Sequence, residues 1–298
     1  MRYGRSRPHS SGRVAMRLDI EPEVFTSGDR LSVIHLLAMV IEGQHEWRPT
    51  LPVALSAERF ANEEAPVLSE FVQKALVEAA NPAPDAPAVA QITAAKLKEF
   101  VADLRRPATL VVENRIADGG FVRAVAAALG DHRVVEALSP GRQWLCFSHG
   151  GGSGDIPELA ADERSGFTVL VRVAVLFDSD REHAGHAGRN HDKVQKCREH
   201  GVAEVHLLAW RMMENYAPFR IWEHHFVHRP DHVEALRAIE PEQRGYLHLK
   251  TWFKERRCHV PKRVFPADLA LAEDDFAELG PDVVAELREL LAMIHRIL

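Results

Sequence analysis

Residues 169–180 have the sequence VLVRVAVLFDSD, and this stretch decides the fold expected for the chain. Its first nine residues are almost all apolar or β-branched, which predicts a strand buried on both faces of a sheet that helices cover on either side. The stretch ends on Asp178 and Asp180, and because strand side chains alternate, we expect both carboxylates to point the same way. Two such carboxylates repel each other unless a cation lies between them, and a hard divalent cation is the natural candidate. The alternative is that Asp178 caps the next helix while Asp180 faces solvent.

The composition is that of an ordinary globular protein. The 298 residues suffice for one large domain or two ordinary ones, and 46% hydrophobic and 27% charged residues are typical of soluble proteins. The longest apolar run, residues 31–41, is too short to span a membrane, and no apolar signal core follows the basic N-terminus. Three widely separated cysteines without a CxxC spacing indicate a reducing environment, so we expect a cytoplasmic protein. With a net charge of −6, a nucleic-acid partner would require a local basic face or bound metal ions.

Changes in sequence texture divide the chain into four parts. Residues 1–15 are basic and rich in Ser, Gly and Pro, which predicts a disordered arm, or alternatively an arm that contacts nucleic acid. Residues 16–106 are predicted to be mainly helical, with helices at 31–41, 65–80 and 88–104 and a Pro-rich linker at 81–87. Residues 107–218 alternate between strands and helices, and residues 219–298 are again predicted to be helical. An apolar stripe near the C-terminus predicts an amphipathic helix whose stripe is a packing face, or alternatively the contact of a homodimer.

Polar residues follow each predicted strand of the third part. Strands are predicted at 109–112, 144–147, 169–177 and 205–208, and helices at 121–129, from 157 onward and at 191–200. Repeated strand–helix units of this length predict a parallel sheet covered on both faces, and ligands of such sheets gather at the carboxyl ends of the strands. Glu113, the glycine run at 150–154, the two aspartates and Glu214 all lie just after predicted strands, which predicts a site there.

These residues, in this order, resemble the Toprim domain, the metal-binding fold shared by topoisomerases, bacterial primases and OLD-family nucleases. The resemblance is carried by Val111-Val112-Glu113 with Asp118 five positions later, by Asp178-Ser179-Asp180, and by residues 211–216, which are similar to the Arg-x-x-Glu-Asn-Tyr segment of OLD-type proteins. It covers about residues 109–218. Asn114-Arg115 departs from the usual small residue after the first Glu, which leaves the role of Asp118 open. The implied fold class is α/β, a Toprim-like (Rossmann-like), mostly parallel sheet with helices on both faces and helical N- and C-terminal segments.

The resemblance implies a nuclease that hydrolyses DNA or RNA with two Mg²⁺ or Mn²⁺ ions. The metal ligands would be Glu113, Asp118, Asp178, Asp180 and Glu214. Lys250 could join the acids Glu113, Asp178, Asp180 and Glu214 as a catalytic residue by neutralising charge on the phosphate. Lys254, Arg256 and Arg257 could bind backbone phosphates. A role in bacterial anti-phage defence is also implied, and because the chain has no GxxxxGK[ST] motif, any ATPase would be a separate subunit.

Two other functions fit the same residues. A non-catalytic binding or assembly module could keep the fold and use its acids only to bind one ion or a partner, including an ATPase. A nucleotidyl-transfer enzyme of the primase kind would also use these acids, but the chain has no recognisable zinc module for template binding.

Overall fold

The computed structural model describes residues 16–80, 90–150 and 154–298. It shows an α/β protein with one three-stranded and one four-stranded sheet, both parallel and both flanked by helices. The α/β class and the parallel sheet are therefore confirmed. The predictions of a disordered arm at 1–15 and of a linker at 81–87, and most of the glycine run, lie outside the described residues.

The described strands follow one another at wide intervals. They are β1 (Arg17–Ile20), β2 (Glu46–Trp47), β3 (Ala90–Ile92), β4 (Ala108–Val112), β5 (Leu145–His149), β6 (Val173–Phe177) and β7 (Glu204–Leu207). The described α-helices are α1 (Arg30–Ile41), α2 (Leu51–Glu64), α3 (Ser69–Ala79), α4 (Leu97–Arg105), α5 (Ala117–Ala128), α6 (His132–Ala137), α7 (Ile156–Ser165), α8 (His191–Glu199), α9 (Phe219–His225), α10 (Pro230–Arg237), α11 (Pro241–Gly245), α12 (Leu249–Glu255), α13 (Glu273–Ala277) and α14 (Val283–Ile297). Among the described helices, none is long and apolar enough to cross a membrane.

The N-terminal unit contains a sheet of order β2-β1-β3, of which the sequence predicted only a short strand-like start near Met16. Its strands are two to four residues long, which is too short for a clear periodic signal. The helix predicted at 31–41 is confirmed as α1, and the Asp29 carboxylate before it accepts a hydrogen bond from the Ser32 backbone N–H at 3.3 Å. The prediction of a helix at 88–104 was wrong for its first residues. Ala90 to Ile92 pair with β1, and α4 begins only at Leu97.

The C-terminal unit is built on the sheet of order β5-β4-β6-β7, in which all pairs are parallel. Every residue of β4 and β6 is buried. One face of these strands, including Leu110 and Leu176, packs with residues of α5, α6 and α14. The other face, including Val111 and Val175, packs with residues of α7 and α8. The prediction of helices on both faces is therefore confirmed for this sheet.

The strand that ends at the aspartates is shorter than predicted. It begins at Val173, because the backbone N–H groups of residues 168–170 all donate to the buried Asp103 carboxylate and are not available to a strand ladder. Arg172, also predicted to lie in the strand, is fully buried, and its guanidinium donates to the carbonyls of Leu104, Arg106 and Ile297. By accepting these hydrogen bonds, the carbonyls compensate for the burial of a charged group inside an otherwise apolar run.

The C-terminal amphipathic helix is α14, which was predicted. Its stripe, including Val283, Leu287 and Ile294, is buried in the same core as β4 and β6. The stripe is therefore a packing face within the chain and is not available as the contact of a homodimer.

Candidate active site

The predicted acidic residues lie at the carboxyl ends of β4 and β6 and in the segment that follows β7. Val111 pairs with Val175, so two residues later Glu113 comes beside Phe177, one position before Asp178. Neighbouring strands are about 4.8 Å apart and rise about 3.3 Å per residue. The backbones of Glu113 and Asp178 are therefore well within the nanometre that a shared site requires.

Asp178 is the most strongly perturbed acid of the site. Its Oδ1 accepts a hydrogen bond from the Met213 backbone N–H at 2.8 Å, which ties the end of β6 to the segment after β7. Burial raises the pKa of Asp178 well above its usual range, and the negative charges of Glu214, Asp118 and Glu113 raise it further, while the Met213 bond opposes them. Asp178 does not cap the following helix, because α8 begins at His191 with Asn190 before it.

Asp180 reaches the site by a different route from the one expected. The strand ends at Phe177, and Asp180 adopts a left-handed backbone conformation with φ of 54°, which Asp tolerates better than most residues. Strand alternation was therefore the wrong reason for placing Asp178 and Asp180 together. They are joined by Asn190, whose Nδ2 donates to the Asp178 carbonyl at 2.7 Å and lies 3.5 Å from Asp180 Oδ2.

Asp118 belongs to the same acidic group. Its Oδ2 accepts a hydrogen bond from the Asn114 backbone N–H at 2.9 Å, and Asn114 Oδ1 in turn accepts from the backbone N–H groups of Ile116 and Ala117 at the start of α5. Burial is the main cause that raises the pKa of Asp118 to about 7, opposed by the Asn114 bond and assisted by the charges of Glu113 and Glu214. Asn114, which departs from the Toprim pattern, thus builds the turn that presents Asp118.

Glu214 and Lys250 form an ion pair at 2.8 Å between Oε1 and Nζ. Glu214 is only 4% exposed, and its Oε2 is buried without a hydrogen-bond partner among the described residues. The exposed Lys250 lies on α12, outside the segment that resembles Toprim. Burial lowers the pKa of Lys250, but the charge and hydrogen bond of Glu214, with Asp178 and Glu113, raise it by more.

Tertiary contacts fix the segment that carries Glu214. Tyr216 donates from its hydroxyl to Glu286 of α14 at 2.5 Å and accepts from the Trp210 backbone N–H at 2.9 Å. Asn215 Nδ2 donates to the carbonyls of Arg244 and Leu247. Tyr216 is thus a buried support beneath the site. Burial and the contact with Glu286 raise the pKa of Tyr216 well above its usual range.

Glu113 is the exposed member of the group. Partial desolvation and the charge of Asp180 raise the pKa of Glu113, and two lysines, Lys250 and Lys193, act in the opposite direction. The positive charges of both lysines therefore act on this carboxylate. Lys193 and its partner Asn190 were not expected from the sequence, because neither residue belongs to a motif.

The other predicted cations are less closely tied to the acids. Arg256 lies with its Cζ 3.8 Å from the centre of the Trp252 ring and donates to the Trp252 carbonyl. Lys254 and Arg257 are exposed on and after α12. Their assignment to nucleic-acid binding stays a prediction.

The acids fit divalent cations by their chemistry, although they do not form a finished cage. Glu214 has a buried carboxylate oxygen without a hydrogen-bond partner among the described residues, and Asp178 is a half-buried carboxylate on which three neighbouring acids act. Both would be stabilised by a cation. In the described ranges, no group of three or more His, Cys, Asp and Glu has the arrangement of a metal site. The Lys250 ammonium is the cation that contacts Glu214 here.

Comparison of the chain with protein-family models, with curated proteins and with solved structures gives no match.

Proposed function

We propose that this protein is a Mg²⁺- or Mn²⁺-dependent phosphodiesterase that cleaves DNA or RNA. The observation that supports it is the meeting of Asp178, Asp118, Glu113 and Glu214 at one edge of a parallel sheet, where one buried Glu214 oxygen has no partner among the described residues. The order of these acids resembles Toprim nucleases. A cytoplasmic location, a defence role and a separate ATPase subunit belong to the same proposal.

The ions would be held by Asp178, Glu214 and Glu113, with Asp118 and Asp180 available to a second ion. When bound, two such ions supply Lewis-acid chemistry that generates the attacking hydroxide from water and stabilises the leaving oxygen of a phosphodiester. The residues of the chain prepare the site. The Met213 N–H holds the Asp178 carboxylate in place, and Glu214 is held buried beside it. The Lys250 ammonium, which contacts Glu214, can donate a hydrogen bond to a non-bridging phosphate oxygen.

Replacement of Glu113 by alanine tests this proposal. Because Glu113 is exposed, E113A should fold normally and lose cleavage by about a hundredfold or more, as expected when a group essential to the metal chemistry is removed. Cleavage of labelled DNA and RNA in Mg²⁺ and Mn²⁺ is compared with E182A, a nearby exposed glutamate for which no role is proposed. The proposal is wrong if folded wild-type protein cuts neither polymer, or if E113A cuts as fast as E182A.

A second candidate function is a non-catalytic module that binds an ion or a protein partner. The Glu214–Lys250 pair favours it, because an internal cation already compensates part of the acidic charge. This function predicts that Mn²⁺ binds, as seen by electron paramagnetic resonance, without cleavage of DNA or RNA in either ion. Cleavage lost in E113A would exclude it.

A further inference from the structure

The residue before α8, Asn190, uses its side chain in an unusual way. It stands at the N-cap position, but its side chain accepts no hydrogen bond from the backbone of the helix that it precedes, although stabilising that helix is the usual role of a capping Asn. Its Nδ2 donates to the Asp178 carbonyl at 2.7 Å, and its Oδ1 accepts from Lys193 Nζ at 2.8 Å. Asn190 is 1% exposed, so this amide joins the end of β6 rigidly to one lysine.

The position of Lys193 is therefore coupled to the acids. The bond to Asn190 holds its ammonium beside the Asp178–Asp180 turn, and its charge acts on Glu113, as does that of Lys250. Lys250 belongs to α12 and Lys193 to α8. The charges of two cations from separate helices thus act on the same exposed carboxylate, Glu113.

This arrangement suits a phosphodiester better than a protein-only role. Lysine is a point charge that binds phosphate oxygens without reading a base. A phosphate has two non-bridging oxygens, and a cation for each would offset the repulsion between the phosphate and the surrounding carboxylates.

We propose that Lys193 is a second phosphate-binding residue of the site, that Asn190 positions it, and that Lys193 and Lys250 together hold the backbone of a nucleic acid regardless of base. This inference rests on the proposed function. It narrows that function to recognition of the sugar–phosphate chain.

Binding of a short fluorescein-labelled single strand, followed by fluorescence anisotropy in Ca²⁺ at several NaCl concentrations, tests the role of Lys193. We expect K193A to weaken binding about tenfold at low salt. The slope of log K against log salt should fall by about 0.7, as for the loss of one phosphate contact on a single strand. The matched control is K196A, which removes an exposed lysine from the same helix and should bind like the wild type. Equal binding by K193A and K196A would overturn the proposal, as would undetectable binding by the wild type.

The role of Asn190 is tested by combining variants. If Asn190 only stabilises the fold, N190A should lower the melting temperature. In that case K193A should weaken strand binding by the same factor in the N190A background as in the wild type. If Asn190 positions Lys193, the K193A effect should shrink to below about threefold in that background, because the two residues act as one unit. K193A should weaken the binding of strands of different base sequence by the same factor. A loss of affinity confined to one base sequence would contradict the proposal.

The outcomes separate this inference from the proposed function. Wild-type protein that binds the strand in a Lys193-dependent way but cuts no DNA or RNA would contradict the nuclease and leave phosphate binding in place. Protein that cuts, with K193A and K196A alike in binding and in single-turnover rate, would contradict only the role of Lys193.

Discussion

At the scale of single residues, the site is a set of carboxylates that destabilise one another. Burial and mutual repulsion raise the pKa values of Asp178, Asp118 and Glu113. Such perturbed acids at the end of a buried strand are typical of functional sites. The protein compensates only part of this charge, through Lys250, Lys193 and backbone N–H groups.

The raised pKa of Asp118 predicts how stability depends on pH without divalent ions. Between its ordinary pKa of 3.8 and about 7, the folded state keeps a proton that the unfolded state releases. The contribution of Asp118 to the free energy of unfolding should therefore fall as pH rises through this window, by at most about 1.4 kcal/mol per pH unit. Above the window this contribution should be constant. Urea unfolding at a series of pH values measures it.

D118N is the matched control, because it keeps an oxygen for the Asn114 N–H and removes the titration. Its stability, relative to the wild type, should rise with pH across the window. A constant difference between the two proteins would contradict the prediction. Added Mg²⁺ should reduce the difference above pH 7 if Asp118 binds an ion.

At the scale of elements, the loop between β6 and α8 is held against the end of its own strand. Gly188 lies in the left-handed region with φ of 84°, and a Cβ at this position would collide with the Ser179 carbonyl oxygen. Ser179 is fully buried and donates from its hydroxyl to the Trp210 carbonyl at 2.7 Å. The close approach of Gly188 thus brings Asn190 to the aspartates.

G188A should therefore displace the loop from the Asp178–Asp180 turn. The expected cost is about 1–3 kcal/mol of the free energy of unfolding, since the residue combines a disfavoured φ with a steric clash. Cleavage or strand binding should fall further than stability alone explains, because Asn190 and Lys193 move with the loop. G185A is the control, since its Cβ meets only the His183 ring, at 3.6 Å. A G188A protein as stable and as active as G185A would contradict this account.

At the scale of the whole molecule, polar contacts join the two sheets through the turn before β2. Arg133 of α6 donates to the Gly43 and Gln44 carbonyls, and Gln44 Nε2 donates to the Leu104 carbonyl. His45, which follows Gln44 in this turn, is buried with 2% exposure. Burial lowers the pKa of His45 well below its usual range, and the charges of Arg172 and Arg133 lower it further.

The burial of His45 predicts that the protein is less stable to unfolding in mild acid. His45 is neutral in the folded state, so its contribution to stability is complete above the ordinary pKa of 6.5 and is lost as pH falls below it. H45L should remove this acid sensitivity, and H259L, at an exposed histidine, should not. Urea unfolding between about pH 7.5 and 5 measures the effect. H45L and wild type with parallel pH profiles would contradict the prediction.

The sequence by itself determined the α/β class, the four strands of the larger sheet, the buried terminal helix and which acids follow the strands. These features are local, because apolar periodicity and helix-start residues such as Asp29 are visible in a short window. The smaller sheet was missed because its strands are only two to four residues long, which is too short for a periodic signal in such a window.

Tertiary structure alone decided how the acids are held and which cations accompany them. Asp180 lies in a left-handed turn, not in a strand, and Asn190 and Lys193 come from the start of a helix whose sequence carries no motif for the site. Lys250 was predicted from the sequence, but its ion pair with Glu214 was not. The physical reason is that a pKa and an ion pair depend on burial and on distances through space. Neither quantity is encoded by spacing along the chain.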